Sequence, residues 1–152
     1  MTATFRPARR TDVPAIVELL RDDSLGAQRE SADMAPYLAA FDAMTTEGGN
    51  SLIVAQDDER VVATYQLTLI SGLSLRAARR AQIESVRVAS DLRGHGLGRA
   101  MFADAEMRAR AAGCTLIQLT MNAGRTDSAK FYASLGFLPS HIGFKRSLAP
   151  TD

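Results

Sequence analysis

The sequence predicts one domain of mixed α/β class, with an antiparallel first half and a β-α-β crossover in the second half. Apolar runs rich in β-branched residues at 51–56 and 61–70 flank a charged turn at 57–60, which is the pattern of a hairpin. A strand-like run at 83–88 precedes a glycine-rich turn, an amphipathic segment at 97–112 and a further strand-like run at 115–121. The 152 residues suffice for a core of their own, so residues 1–152 are expected to form a single domain.

The first fifty residues add one strand and two helices to this pattern. The strand is predicted at 4–6, and Thr11 or Asp12 is expected to cap the helix that follows it. A polar loop at 22–33 then leads to a second helix at 34–44, where apolar residues recur at helical spacing.

The end of the chain is predicted to hold a short helix and two short strands. Gly113 fits the position just after the helix at 97–112. Asp127 is expected to cap a helix at 128–135, and Gly136 is expected to close it. The final strands are predicted at 137–138 and 142–146.

Composition and charge exclude several classes of function. Eighteen basic residues against seventeen acidic ones give a net charge of +1, which offers no electrostatic attraction for nucleic acid or a membrane surface. No apolar run approaches the length of a membrane span, and the first fifteen residues lack the apolar core of a signal peptide. Cys114 is the single cysteine, which rules out an intrachain disulfide and a cysteine-based zinc site. A cytoplasmic location is the default expectation.

The stretch from Glu84 to Arg99 joins a predicted strand to a predicted helix through glycines at every second position. Glycines let successive N–H groups approach an anion without a Cβ atom in the way, and a helix N-terminus adds unpaired N–H groups and partial positive charge. The turn therefore predicts a phosphate-bearing ligand. A P-loop would need Lys and then Ser or Thr after Gly98, where Arg99 and Ala100 stand, and a dinucleotide fingerprint would need glycine in place of Arg99.

Residues 93–98 read Arg-Gly-His-Gly-Leu-Gly, residues 131–137 read Phe-Tyr-Ala-Ser-Leu-Gly-Phe, and residues 6–12 begin with Arg and end with Asp. These three stretches resemble motifs of the GNAT superfamily of acyl-CoA-dependent N-acyltransferases. The first is similar to the family's Arg/Gln-x-x-Gly-x-Gly/Ala pyrophosphate loop, the second to its late Leu/Phe-Tyr-x-x-x-Gly-Phe motif, and the third to its opening, Arg-x-Ala-x-x-x-Asp. The resemblance covers nearly the whole chain. It implies a mostly antiparallel, twisted sheet of six to seven strands with about four helices, splayed between the two strands that bracket the CoA-binding helix.

The resemblance also implies acetyl-CoA as co-substrate, with no metal. The pyrophosphate would lie on the N–H groups of the glycine loop, and the pantetheine arm would pair like an extra strand with the strand before that loop. Asn122 is added as a pantetheine contact, since Arg125 takes the place of the family's usual Asn. The residues carried over are Val86 and Val88 for pantetheine and Arg93, Gly94, His95, Gly96, Gly98 and Arg99 for pyrophosphate.

The implied reaction is transfer of an acetyl group to a primary amine by direct attack within a ternary complex. An ammonium group cannot attack, so a base must take its proton, and Glu84 on the strand before the loop is the candidate base. Tyr132 is the candidate acid for the leaving thiolate. On a regular strand Glu84, Val86 and Val88 share one face, and a β-bulge would change that parity. The acceptor is expected to be a small-molecule or peptide amine; the oligomeric state stays open, and dimers are common in the family.

Each candidate also has a purely structural interpretation. Glu84 could pair with Arg87 or Arg80, and Tyr132 could be a core aromatic residue. The three arginines within residues 76–80 could form a solvated edge, or they could recognise an acidic substrate or a phosphate of CoA. The alternative for the whole protein is a CoA-binding sensor or interaction domain that keeps the fold without catalysis.

Overall fold

The computed structural model describes residues 2–150, which fall into two compact units that divide after Leu119. The first unit contains a sheet in which five described strands lie in the order of the chain. They are β1 (Thr4–Pro7), β2 (Asn50–Asp57), β3 (Arg60–Ile70), β4 (Arg80–Val88) and β5 (Leu116–Leu119). Strands β1 to β4 are antiparallel and β4 and β5 are parallel, so the antiparallel first half and the crossover are confirmed.

Five described helices belong to the first unit and one to the second. The former are α1 (Val13–Arg21), α2 (Gly26–Arg29), α3 (Ala35–Thr46), α4 (Ser74–Ala77) and α5 (Leu97–Ala111). The latter is α6 (Thr126–Ser134). Helices α2 and α4 are single turns of four residues, and α2 lies in the segment that the sequence predicts as a polar loop. Within residues 2–150, none of these helices combines the length and apolar character needed to cross a bilayer.

The prediction of six to seven strands is wrong for residues 2–150, which contain five. The two strands predicted at 137–138 and 142–146 are irregular backbone, and the side chains of Leu138, Ile142 and Phe144 are more than four-fifths exposed. A short strand is stable only beside another strand, and no ladder forms within residues 120–150. Alternating apolar residues predict a strand's faces but not its partner.

The start of α1 is built differently from the predicted cap. Asp12 precedes α1, but its carboxylate caps no helix N–H in α1. It accepts two hydrogen bonds from the guanidinium of Arg6, at 2.7 and 2.9 Å, and one from the N–H of Arg9 at 2.6 Å. These bonds lower the pKa of Asp12, with the Arg6 hydrogen bond as the main cause. The spacing of Arg6 and Asp12 therefore fastens β1 to the turn before α1.

Helix α5 packs on the sheet through the side chains that its periodicity predicts. Four of these apolar side chains are at most 5% exposed: Leu97, Met101, Phe102 and Ala105. The buried hydroxyl of Tyr65 on β3 donates to Asp104 at 2.6 Å, and Asp104 also accepts from Arg108 at 2.8 Å. Gly113 ends α5 in the left-handed conformation, with φ +80°, as predicted. The packing of α5 on the sheet also fixes its N-terminus, which follows the glycine loop after β4.

Candidate active site

The pairing of β4 with β5 stops just before Glu84. The last residue pair between these parallel strands is Ile83 with Leu119, and β4 continues to Val88 along β3 alone. Beyond Ile83, the edge of β4 that faces away from β3 therefore has no ladder partner within the described sheet. This is an edge to which an extended ligand could add like a strand.

A β-bulge interrupts β4 directly after Glu84. Gln66 of β3 pairs with Glu84 and Thr64 pairs with Arg87, so Ser85 and Val86 together oppose one residue of β3. Ser85 takes a left-handed conformation with φ +53°. Because opposed residues share a face, the register places Glu84 and Arg87 on one face and Val88 on the other. The strand is thus not regular, and the bulge changes the parity of Glu84 and Val88, as expected from the sequence for a bulged strand.

Glu84 is exposed, and its carboxylate forms no hydrogen bond or ion pair among residues 2–150. Neither of the two arginines named as its possible partners forms an ion pair with it. Arg87 forms an ion pair with Asp23, in the connection between α1 and α2, at 3.0 Å. Arg80 donates to the side chain of Gln118 on β5 at 3.4 Å. The structure therefore leaves the Glu84 carboxylate accessible at the point where the two strands separate.

The glycine loop presents backbone N–H groups at the start of α5. Gly94 and Gly96 have φ +80° and +85°, and a Cβ atom built on either glycine would meet no protein atom within 4 Å. The N–H groups of Gly94, His95 and Gly96 donate to no other group within residues 2–150. Gly98 lies in the first turn of α5, whose N–H groups lack acceptors within the helix. Gly94 and Gly96 thus fit a phosphate in conformation and in space, and the N–H groups of residues 94–96 are donors available to it.

Arg93 uses its side chain to shape the loop. Its guanidinium donates to the carbonyl of Asp22 at 2.5 Å and to the carbonyl of Val88 at 3.2 Å. The carboxylate of Asp22 accepts from the N–H of Ser90 at 2.9 Å, and this hydrogen bond lowers the pKa of Asp22. The segment after α1 is therefore tied to both ends of the connection between β4 and the glycine loop. Arg99 is exposed on the first turn of α5.

Val86 and Val88 are half-buried on the part of β4 that continues past β5. The carbonyl of Val86 accepts from Arg87 at 2.9 Å. A carbonyl oxygen carries a second lone pair, so these arginine contacts do not by themselves use up the acceptors of Val86 and Val88. The open edge of β4, the glycine loop and the N-terminus of α5 thus follow one another along the chain. This is the order that a pantetheine arm and a pyrophosphate would require.

The remaining two candidates lie in the second unit. Tyr132 is half-buried on α6, and its ring centroid lies 5.5 Å from that of Phe131 and 6.1 Å from that of Phe137. Gly136 has φ +89° and closes the helix as predicted, although α6 begins at Thr126 and is not capped by Asp127. Asn122 is exposed, and its side-chain oxygen accepts from the N–H of Gly124 at 2.9 Å. That oxygen therefore shapes its own loop.

The comparison with known families settles which kind of chain carries this loop. The sequence profile of the Acetyltransferase (GNAT) family matches residues 13–137, which span both the glycine loop and the motif around Tyr132. The protein belongs to the GNAT family. Family membership supports acetyl transfer as the general class of reaction and acetyl-CoA as the typical co-substrate.

Three proteins similar to this chain carry different descriptions. A crystal structure described as a transcriptional regulator from Bacillus halodurans C-125 is 38% identical, with 97% of this chain and 100% of that chain covered and a TM-score of 0.92. An acetyltransferase from Trypanosoma brucei is 24% identical, with 97% and 100% covered and a TM-score of 0.80, which shows the shared fold alone. Aminoalkylphosphonate N-acetyltransferase from Salmonella typhimurium strain LT2 is 36% identical over 67 residues, or 44% of each chain. The match thus spans less than half of that enzyme.

Sequence reasoning missed the side chains that hold this GNAT site together. Asp22 and Asp23 stand in a stretch predicted only as a polar loop, and their partners lie more than sixty residues further along the chain. Nothing in the local pattern announces such contacts. Among residues 2–150, no group of three or more acidic, histidine or cysteine side chains is arranged to hold a metal ion. The absence of a metal from the reaction stays a prediction.

Proposed function

We propose that this protein is an N-acetyltransferase that moves the acetyl group of acetyl-CoA to a primary amine by direct attack in a ternary complex. The observation that carries the proposal is the arrangement along β4. An exposed, unpaired Glu84 stands where β5 pairing ends, and the free N–H groups of the glycine loop follow at the other end of the strand. Residues 1–152 act as one GNAT domain in this proposal.

The proposed reaction forms one C–N bond and breaks one C–S bond. Acetyl-CoA supplies an acetyl group that is already activated as a thioester. The amine nitrogen forms a bond to the acetyl carbonyl carbon, the bond between that carbon and sulfur breaks, and the sulfur leaves with its electron pair. Glu84 accepts the proton that the amine must lose, directly or through a water molecule. Tyr132, by its position in the motif, donates the proton that the sulfur gains.

The donor is held mainly by backbone groups. Gly94, His95, Gly96, Gly98 and Arg99 offer N–H groups to the pyrophosphate, and the edge at Val86 and Val88 accepts the pantetheine arm. Arg93 acts through the loop, because its guanidinium is bound to Asp22 and Val88. Asn122 would add a contact to the arm through its side-chain amide, whose oxygen also accepts from the N–H of Gly124.

The test is release of free thiol from acetyl-CoA with a panel of amines. The panel includes aminoalkylphosphonates, because the Salmonella relative is named for them. We expect turnover with at least one amine, and Glu84→Gln should lower kcat/KM by about 10²- to 10⁴-fold, because the amide cannot take a proton. A Glu84→Gln protein that is as active as wild type would remove Glu84 from the role of base.

A regulatory function is the second candidate, since the B. halodurans relative is described as a transcriptional regulator. In that case the protein would bind CoA as a sensor and turn over no amine. Tight CoA binding, together with no thiol release from any member of the panel, would favour the sensor. Homodimer formation is compatible with both candidates and can be measured by light scattering.

A further inference from the structure

One face of the sheet carries an unbroken row of polar side chains beside Glu84. The row consists of Asn50, Thr68, Gln82 and Gln118, which pair side by side across β2, β3, β4 and β5. All four are half-buried. We call these four residues the polar row.

Hydrogen bonds between side chains join the members of the polar row in two pairs. Thr68 donates to Asn50 at 3.3 Å, and Gln118 donates to Gln82 at 2.7 Å. Gln66, which lies opposite Glu84, donates to Asn50 at 2.9 Å. A sheet face that packs on an apolar layer would carry apolar residues at these positions, as the other face of β4 does with Ala81 at 0% and Ile83 at 2% exposure. The polar row is therefore a surface suited to a polar ligand.

Opposite charges flank the polar row on β4. Arg80, Gln82 and Glu84 alternate along the strand before the bulge and so lie on one face. Within residues 2–150, neither Arg80 nor Glu84 forms an ion pair, whereas seven other arginines do. Arg80 is half-buried, and its described contact is the single bond to Gln118. Its remaining N–H groups are donors suited to a carboxylate or a phosphonate.

The three arginines within residues 76–80 do not form one site, because Arg76 and Arg79 have surroundings different from those of Arg80. Arg79 donates to the carbonyl of Ala112 at the end of α5, at 2.6 Å, and Arg76 is exposed on α4. Arg80 also lies at the far end of β4 from the glycine loop. At about 3.3 Å per residue, it is about 25 Å from Val88, which disfavours a role in binding the CoA pyrophosphate.

We propose that Arg80 and the polar row form an acceptor subsite, and that the acceptor is an amine with an anionic group several bonds from its nitrogen. This inference rests on the proposed function, because it takes Glu84 as the place of the amine. The Cα atoms of Arg80 and Glu84 are about 13 Å apart along the strand, so a compact α-amino acid is too short to reach both easily. A longer ω-amino acid, an aminoalkylphosphonate or a peptide carboxylate meets both charges while its polar middle contacts the amides of the row.

The experiment compares acceptors that differ only in the anion. Acetylation of 4-aminobutyrate, 6-aminohexanoate and 3-aminopropylphosphonate is measured beside that of neutral amines of matched length. We expect wild type to prefer the anionic amine at least tenfold in kcat/KM. Arg80→Gln should bring that ratio close to one, Arg80→Lys should retain part of it, and the control Arg76→Gln should retain all of it. Circular dichroism confirms that each variant is folded.

Two results of the turnover assay would overturn the subsite. One is turnover without an anion preference, which leaves the proposed acetyltransferase intact. The other is an equal loss of preference in Arg80→Gln and Arg76→Gln. If no amine is turned over, a binding measurement tests the acceptor subsite separately from the acetyltransferase activity. Calorimetric titration of 6-aminohexanoate into the CoA-bound protein should show binding that Arg80→Gln weakens at least tenfold, and unchanged binding in that variant would also overturn the subsite.

Discussion

Replacement of Gly96 by alanine tests whether the glycine loop is a ligand site or only a turn. Gly96 has φ +85°, and a Cβ atom there would meet no protein atom within 4 Å. The cost to the free protein is therefore backbone strain alone, about 1–2 kcal/mol. For a chain of this size that loss lowers Tm by about 2–8 °C. If an N–H group of the loop bonds a phosphate oxygen, moving it would cost about 1.5–3 kcal/mol of binding, or about 10- to 150-fold in Kd.

Gly113 offers a matched control for this substitution. It has φ +80°, and its Cβ position is equally open, but it lies after the far end of α5. Gly113→Ala should therefore lose a similar amount of stability and bind CoA as wild type does. Calorimetry gives the Kd for CoA, and thermal unfolding gives Tm. If both variants lose stability alike and both bind CoA normally, the loop does not hold the pyrophosphate.

Three further substitutions test other parts of the account. Tyr132→Phe should lower kcat by about 10²-fold with little change in CoA affinity, because only the transferred proton is lost; unchanged turnover in a steady-state assay would remove Tyr132 from the acid role. Ser85→Gly should raise the free energy of unfolding by about 1 kcal/mol in urea titrations, because glycine adopts φ +53° without strain, and a destabilised variant would contradict a strained bulge. Asp22→Asn should be less stable than wild type at pH 7. The hydrogen bond from Ser90 lowers the pKa of Asp22, so its contribution to stability is fully present above the unfolded pKa of about 3.9. This contribution is lost as the pH falls through the pKa of Asp22 in the folded protein. The unfolding midpoints of wild type and Asp22→Asn, measured at pH 7, 5, 4 and 3, should therefore converge as the pH falls. A difference that stays constant would contradict this.

The local sequence pattern predicted those elements that are determined by residues close together in the chain. The periodicity of α5 identified its buried side, and Gly113 and Gly136 end their helices in the left-handed conformation, as expected. The strand-like run begins at Ile83, three residues after the start of β4, because Arg80 and Gln82 are polar residues on an open sheet face. Residues 80–83 alternate polar residues with Ala81 and Ile83, so they show the period of a strand without its apolar run.

The candidate site was predictable in its motifs and not in its long-range contacts. The glycine loop and Glu84 follow from the order of residues along β4. The bulge at Ser85 carries no glycine to mark it, so the sequence left open whether Val88 shares the face of Glu84, and the structure places them on opposite faces. Asp23 meets Arg87 only because the chain folds the connection after α1 over that face of β4. Such pairings depend on tertiary geometry, which single-sequence periodicity does not contain.

A crystal structure with CoA bound would show directly whether β4 and the glycine loop hold the acetyl donor. We expect the pyrophosphate on the N–H groups of residues 94–99, the pantetheine arm along the open edge of β4 at Val86 and Val88, and the sulfur near Glu84. CoA bound away from the glycine loop, or with its sulfur directed away from Glu84, would contradict this expectation.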